Sequence, residues 1–306
     1  MRVGITGGLG FIGSNLALRL HKSGIEVSIL DDFSTGLVDN LNGINYKLVQ
    51  GSILDDKKVS EFFKDLDFVF HLAARGSVPR SFEFQKLTYD VNTTGSVTIM
   101  EEARTRAIPI VLISSSSVFG SANVGARAES DSKNPISPYA VSKLAMEMAV
   151  QVNRLNYSQN ALVIRLFNVF GPLQRSDHDY AAVIPKWISA AIHGKPLAIF
   201  GDGTQSRDFT FVNDVVEILI SCLHRPELFS ISELNVGFGR PIELNEIVRI
   251  LKKDFKNLET KHLPPRVGDI SRSLNDTKLF QKFFTDFQAT PIEHAIAKTV
   301  EWFVRR

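Results

Sequence analysis

One cysteine, two tryptophans and four methionines stand among 306 residues. A lone Cys222 excludes an internal disulfide framework and fits a reducing compartment. Flanked by Ile220 and Leu223, it reads as a small buried apolar residue and not as a nucleophile. An excess of one charge is lacking too: 35 Lys and Arg meet 33 Asp and Glu, for a net charge of +2, and the basic residues are scattered singly. Such a balance offers no footing for nucleic acid or for an anionic membrane surface. Long apolar runs are missing, so no segment is expected to span a bilayer. A strand-like run opens at Arg2, which leaves no room for a secretory leader. The expectation is a cytoplasmic globular protein, either one large domain or two that share a cleft.

What is present is an alternation. The β-rich runs "RVGIT", "EVSIL", "YKLV", "DFVFHLA", "IPIVLIS" and "ALVIRLF" are separated by helical patterns over 11–22, 55–64, 85–106 and 139–156. Strands this apolar, spaced by such helices, predict an α/β fold with a doubly wound parallel (Rossmann) sheet. After Phe167 the rhythm breaks: "NVFGPLQRSDHDY" and 201–207 read as loops, and 263–273 carries two prolines and a glycine. Residues 1–166, with 208–236 returning to them, are therefore expected to bind a dinucleotide. A smaller C-terminal part, 167–207 and 237–306, is expected to bind substrate. There is no internal repeat, no low-complexity tract and no spacing that suggests a metal site.

The stretch "GITGGLGFIGSNLALRL" contains Gly8-x-Gly10-x-x-Gly13, and equally Gly7-x-x-Gly10-x-x-Gly13, straight after a strand and at the opening of a helix. Glycines permit the tight turn and the close approach of backbone to a pyrophosphate, whose charge meets the free N–H groups of the helix N-terminus. Asp31 ends the second strand, "EVSILDD". An acid there accepts hydrogen bonds from the adenosine ribose hydroxyls and repels a 2′-phosphate, which favours NAD over NADP.

Two later stretches bear on chemistry. "LISSSSVFG" (112–120) sets four serines directly after an apolar run, and "PISPYAVSK" (135–143) sets Tyr139 and Lys143 four residues apart. That spacing puts both on one helix face, with Pro135 and Pro138 at or before the first turn, where proline is tolerated. A phenol with a reference pKa of about 10 needs a shift of ~3 units to act as a base near neutrality. A neighbouring ammonium acts in that direction, because it favours the phenolate. Taken alone, Tyr-x-x-x-Lys is also the spacing of an exposed helix pair.

Taken together, the glycine turn, Asp31, "FHLAA" (70–74), the serine run and Tyr-x-x-x-Lys resemble the extended short-chain dehydrogenase/reductase family. Within it the resemblance is to the nucleotide-sugar epimerases and dehydratases, and it covers nearly the whole chain. It implies NAD as cofactor, a homodimer, and catalysis by Ser115, Tyr139 and Lys143, with Ser116 a second candidate hydroxyl and Ser114 and Ser117 turn residues. It implies cofactor contacts at Gly7, Gly10, Phe11, Ile12, Gly13, Asp31, Asp32, Ser34, Gly36, Ser52, Ile53, Leu72, Ala73, Ala74, Asn92, Tyr139, Lys143 and Phe167. For a UDP-sugar it implies Ser77, Ser115, Asn168, Val183, Lys186, Phe200, Arg207, Arg266, Asp269 and Ser273. "YAAVIPKW" (180–187) resembles the uridine-contacting segment of UDP-N-acetylglucosamine 4-epimerases. Arg207 and Arg266 resemble a diphosphate clamp suited to the guanidinium fork, with Asp269 facing the ribose. Ser273 falls where the family gates the pocket beside the sugar 2-substituent. His71 is expected to be a packed or hydrogen-bonded core residue.

The subclass turns on Ser116 and Ser117. Related dehydratases carry Asp-Glu there, and the uronic acid decarboxylases keep the Glu, because dehydration needs an extra acid and base. Two serines favour a 4-epimerase working through a transient 4-keto sugar, on UDP-N-acetylglucosamine first and UDP-glucose second. A dehydratase or reductase on a nucleotide-sugar is the rival. A non-catalytic NAD-binding sensor is a remoter one, since such proteins lose the Tyr or the Lys. Two departures stand out: Ser52 where the family has an Asp toward adenine, and Phe119 in place of a Tyr.

Overall fold

The computed structural model describes residues 1–121, 125–177, 181–265 and 272–305. Its elements run β1 (Arg2–Thr6), α1 (Phe11–Lys22), β2 (Glu26–Asp31), β3 (Lys47–Gln50), α2 (Asp56–Phe62) and β4 (Phe68–His71). Then come α3 (Val78–Glu83), α4 (Gln85–Tyr89), a π-helical turn (Asp90–Gly95), α5 (Ser96–Thr105), β5 (Ile110–Ser115), α6 (Pro138–Tyr157) and β6 (Ala161–Leu166). The chain continues through β7 (Val169–Phe170), α7 (Val183–Ile192), β8 (Leu197–Phe200), β9 (Ser206–Asp208), β10 (Thr210–Phe211), α8 (Val212–Ser221) and β11 (Glu233–Val236). It closes with β12 (Pro241–Glu243), α9 (Leu244–Asp254), β13 (Thr260–Leu263), β14 (Arg272–Ser273), α10 (Lys278–Phe283) and α11 (Ile292–Val304).

Two compact units result. The first comprises Met1–Gly120, Ser132–Arg165 and Val216–Leu234; the second comprises Ser121–Asp131, Leu166–Val215 and Asn235–Arg306. The first is built on a seven-stranded sheet in the order β11-β6-β5-β4-β1-β2-β3. β1 pairs in parallel with both β2 and β4, and β2–β3 and β4–β5 are parallel as well. The chain leaves β1 toward β2 and later leaves β4 toward β5 on the opposite side, so β1 and β4 flank the switch point of a doubly wound Rossmann sheet. Right-handed crossovers then place α1 on one face and α2, α5 and α6 on the other. Packing agrees: Phe62, Ile99, Met100, Ala103, Met146 and Val150 share one buried cluster with Leu30, Val49, Val69, Ile110, Leu112 and Val163. α1 buries Leu16, Ala17 and Leu20 outside that cluster.

The helical pattern over 85–106 is not one uniform α-helix. Its middle, Asp90–Gly95, widens into a π turn that buries Asn92 and Gly95. Wide turns of this kind are frequent at functional sites. In the second unit, β9 pairs antiparallel with β12 and in parallel with β14, which sets Ser273 beside Arg207. The wholly buried Asp208 pins this small sheet. Its carboxylate accepts backbone N–H groups from Phe238 at 3.0 Å, Gly239 at 2.9 Å and Asn275 at 3.0 Å. Among the described residues, no helix is long and apolar enough to cross a membrane.

Candidate active site

The glycine turn closes between β1 and α1. Gly7 holds φ +67°, a conformation that favours glycine, and a Cβ there would lie 2.8 Å from Ala73 Cα. A Cβ on Gly13 would lie 2.2 Å from the Gly7 carbonyl oxygen, so only glycine lets α1 start this close to the turn. Gly8 instead packs against Ile29, so the close backbone approaches of the turn fall to Gly7, Gly10 and Gly13. Gly10 caps the twelve-residue α1 without a side-chain hydrogen bond, and no acid stands in the first turn. The result is an open, electropositive helix end matched to a pyrophosphate.

Asp31 closes the other side of this cradle. Its carboxylate accepts the Leu9 N–H and the Phe33 N–H, each at 2.9 Å, and burial pushes its pKa up. Gly36 lets the following loop close over it, since a Cβ there would lie 2.9 Å from Asp31 Oδ1. The carboxylate is held by two backbone N–H groups and keeps further lone pairs able to accept hydrogen bonds. Asp32 accepts from the Ser34 N–H at 2.9 Å, and Ser52 Oγ accepts from the Leu54 N–H at 3.2 Å. Ile53 is buried against the Cα of Gly95, where a Cβ would be 2.6 Å away.

His71 is a core residue in a directed chain. Burial, with Lys143 nearby, lowers its pKa to about 3, so the ring is neutral. Ser96 Oγ spends its hydrogen on the Asn92 carbonyl at 2.6 Å, and therefore accepts from His71 Nε2–H at 2.8 Å. Nδ1 is then left to accept the Thr6 hydroxyl at 2.7 Å, and Thr6 Oγ1 in turn accepts the Ala73 N–H at 3.2 Å. The Asn92 carboxamide is committed to the loop after β4: it accepts the Arg75 N–H at 2.7 Å and donates to the Arg75 carbonyl at 3.3 Å and to Ser142 Oγ at 3.0 Å. Ser77, at φ 107°, caps α3 by accepting the Arg80 N–H at 3.4 Å.

The catalytic candidates of the first unit converge. Ser137 caps α6 by accepting the Ala140 N–H at 3.2 Å, and Pro138 takes the first helical position. The Lys143 ammonium donates to the Ile113 carbonyl at 2.7 Å. Burial lowers its pKa to about 8, with Glu147 acting in the opposite direction. Burial raises the Tyr139 pKa, while a hydrogen bond from the Ser115 hydroxyl lowers it. Ser115 Oγ itself accepts the Ser117 N–H at 3.2 Å, which leaves the Ser115 hydrogen for the phenol oxygen. Ser116 starts the 3-10 turn Ser116–Phe119. Ser114 is not a turn residue. It is the buried fifth residue of β5, and its hydroxyl donates to Glu147. Strand alternation sends Ser114 and Ser115 to opposite faces, and a run of four identical residues hides which is which.

In the second unit Asn168 holds φ 33° and donates to the Asp208 carbonyl at 3.4 Å. Arg207 donates to the Ser206 carbonyl at 2.9 Å and neighbours Ser273 in the β9–β14 pairing. Val183 and Lys186 lie in α7, Phe200 ends β8, and Phe167 is fully buried. Arg266 and Asp269 fall outside the described residues, as does Tyr180. Sequence reasoning does not single out Glu147 and Arg165. The signal available is Glu147 one turn after Lys143, but its partner sits on another element. Among the described residues, no group of three or more His, Cys, Asp or Glu side chains could hold a metal ion.

A glycine turn opening α1, an acid ending β2 and a Ser–Tyr–Lys cluster between β5 and α6 define a dinucleotide-dependent α/β enzyme. Residues 3–237 match the NAD dependent epimerase/dehydratase family. The chain is 34% identical over 313 residues to the UDP-glucose 4-epimerase of Mycolicibacterium smegmatis, covering 99% of this chain and 98% of that one. It is 36% identical over 318 residues to the UDP-N-acetyl-alpha-D-glucosaminuronate decarboxylase of Bacillus cytotoxicus, covering 98% and 96%. Its fold superimposes with a TM-score of 0.93 on the UDP-N-acetylglucosamine 4-epimerase of Methanobrevibacter ruminantium M1, solved with UDP-N-acetylmuramic acid, at 33% identity over 99% of this chain and 98% of that chain. The protein belongs to the NAD dependent epimerase/dehydratase family, and NAD is its cofactor.

Proposed function

We propose that the protein is a UDP-sugar 4-epimerase that interconverts UDP-N-acetylglucosamine and UDP-N-acetylgalactosamine first, and UDP-glucose and UDP-galactose second. The observation that carries this reading is the chemistry at Ser116 and Ser117. They offer hydroxyls where an elimination would need a carboxylic acid and a base. Glu147, the carboxylate that meets the serine run, is tied to Ser114 and Arg165 on the face away from Ser115. Two relatives, 4-epimerases of UDP-glucose and of UDP-N-acetylglucosamine, support the same reading. The decarboxylase relative supports the rival, and it is the serine pair that weighs against it.

In this reading Tyr139 takes the proton of the sugar 4-hydroxyl. Ser115 donates to the same phenol oxygen and steadies the phenolate, and Lys143 adds positive charge from one helical turn further on. When bound, NAD would supply reversible hydride-transfer chemistry at the sugar C4. Gly7, Gly10 and Gly13 would hold its pyrophosphate and Asp31 its adenosine ribose. Asn168, Arg207 and Ser273 are the second unit's residues assigned to the UDP-sugar. The enzyme is assigned to the cytoplasm as a homodimer. Supporting the dimer, α6 exposes Val141, Met148, Val152 and Leu155, and α4 and α5 expose Leu87 and Val97.

The test is Tyr139→Phe in purified holoenzyme, assayed on UDP-N-acetylglucosamine. Loss of the base should reduce turnover by roughly 10³-fold or more, and Ser115→Ala should cost less because Ser116 stands next to it. Near-full activity in Tyr139→Phe sinks the reading.

A further inference from the structure

Behind the serine run lies a buried charged group that the proposed chemistry leaves unused. Ser114 Oγ donates to Glu147 Oε1 at 2.5 Å. Arg165 of β6 grips the same carboxylate with Nε at 2.9 Å and Nη2 at 2.8 Å. The Arg165 and Glu147 side chains are 0% and 3% exposed. The guanidinium also reaches Glu233 of β11 at 3.3 Å, and Lys133 approaches Glu233 at 4.0 Å. It lies 5.4 Å from the ring centre of Phe119, the last residue of the turn that follows Ser115. A buried ion pair of this kind is a poor device for stability, because the cost of taking both charges out of water offsets most of their attraction. Its placement is informative. One carboxylate joins the strand that carries Ser115 to the helix that carries Tyr139 and Lys143.

We propose that Glu147 is a positioning residue: through Ser114 and Arg165 it fixes β5 and the serine turn against α6, and its negative charge faces Lys143 from one helical turn further on. The inference rests on the reading that Tyr139 and Lys143 perform the chemistry. The groups that bear on Lys143 are Glu147 on its own helix and the neutral His71 of β4. Those that bear on Glu147 are Arg165 directly, with Glu233 and Lys133 beyond it. Burial drives the Lys143 ammonium toward its neutral form and Glu147 opposes this. Without Glu147 the proton is lost at lower pH.

Three holoenzyme variants separate the two roles on UDP-N-acetylglucosamine. Glu147→Gln keeps a hydrogen-bonding group and deletes the charge. It should lower kcat by about tenfold or more, leave KM within about twofold, and move the alkaline limb of kcat to lower pH. Ser114→Ala removes only the strand-side bond, so kcat should fall by several-fold with the limb unmoved. Glu147→Asp retains the charge and shortens the reach, and should behave like Ser114→Ala. It serves as the charge-retaining test if Glu147→Gln, which loses the ionic grip on Arg165, fails to fold. A folded Glu147→Gln enzyme whose limb does not move overturns the inference, as do Ser114→Ala and Glu147→Asp enzymes with unchanged kcat. Tyr139→Phe, run alongside, distinguishes the two failures. An active Tyr139→Phe enzyme removes the underlying reading, whereas an inactive one beside a normal Glu147→Gln enzyme removes only this inference.

Discussion

Lys143 Nζ donates to the Ile113 carbonyl at 2.7 Å, two residues before the serine that hydrogen-bonds Tyr139. That bond and the one from Ser114 to Glu147 both tie α6 to β5, and Tyr139, one turn before Lys143, meets Ser115. The same enclosure that orders the ammonium lowers its pKa to about 8.

A pH dependence follows. The ammonium's contribution to turnover should be intact below about 8 and be lost as pH rises through it, because the charged form is lost there. Lys143→Arg keeps a charge that does not titrate, so its lower kcat should lack that limb. A wild-type kcat that climbs steadily to about pH 10 would contradict the assignment.

His71 makes a prediction about stability. Its pKa falls from 6.5 to about 3 on folding, so between those values the unfolded chain binds the extra proton. The contribution is therefore present above 6.5 and is lost as pH falls toward about 3. The slope is up to about 1.4 kcal/mol per pH unit for one proton. Denaturant unfolding of wild type and His71→Gln, compared across this window, should show a steeper loss of stability toward low pH in wild type. Parallel curves would mean the ring is not held neutral.

Asp31 and the glycine turn predict cofactor retention. The purified protein should release NAD(H) on denaturation, and Asp31→Ser should loosen NAD while admitting NADP, since the ribose acceptor and the repulsion of a 2′-phosphate vanish together. Gly13→Val should yield protein without dinucleotide, because its side chain would overlap the Gly7 carbonyl. Clean apo-protein active only with NADP would refute the Asp31 argument.

How much of this is legible in the sequence depends on the range of the interaction. The glycine turn is local: backbone conformation and close approach restrict residue type, so Gly7, Gly10 and Gly13 announce themselves. Tyr139 and Lys143 are legible because helical spacing maps onto one face. Ser114 reads as a turn residue because four serines carry no periodicity, and only Glu147, on another element, distinguishes it from Ser115. Arg165 reads as one basic residue interrupting the apolar run of β6, and only β6 lying beside β5 brings it to Glu147. The π turn leaves no mark because α-helical and π-helical stretches share the same propensities, and Asn92 acts through tertiary bonds to Arg75 and Ser142.

Ser273 carries the prediction about substrate size. It sits beside Arg207 in the β9–β14 pairing, the residue proposed for the diphosphate. Ser273→Tyr should abolish turnover of UDP-N-acetylglucosamine by filling the space of the acetamido group and spare UDP-glucose. Equal loss on both sugars, or on neither, would show that Ser273 does not gate the pocket.

The most direct measurement is to convert UDP-N-acetylglucosamine in D2O with the purified holoenzyme and read the products by NMR. A 4-epimerase returns the substrate's own hydrogen to C4, so UDP-N-acetylgalactosamine should form with no deuterium at C4 or C5. A keto product carrying solvent deuterium, from abstraction of the C5 proton, would contradict the epimerase account.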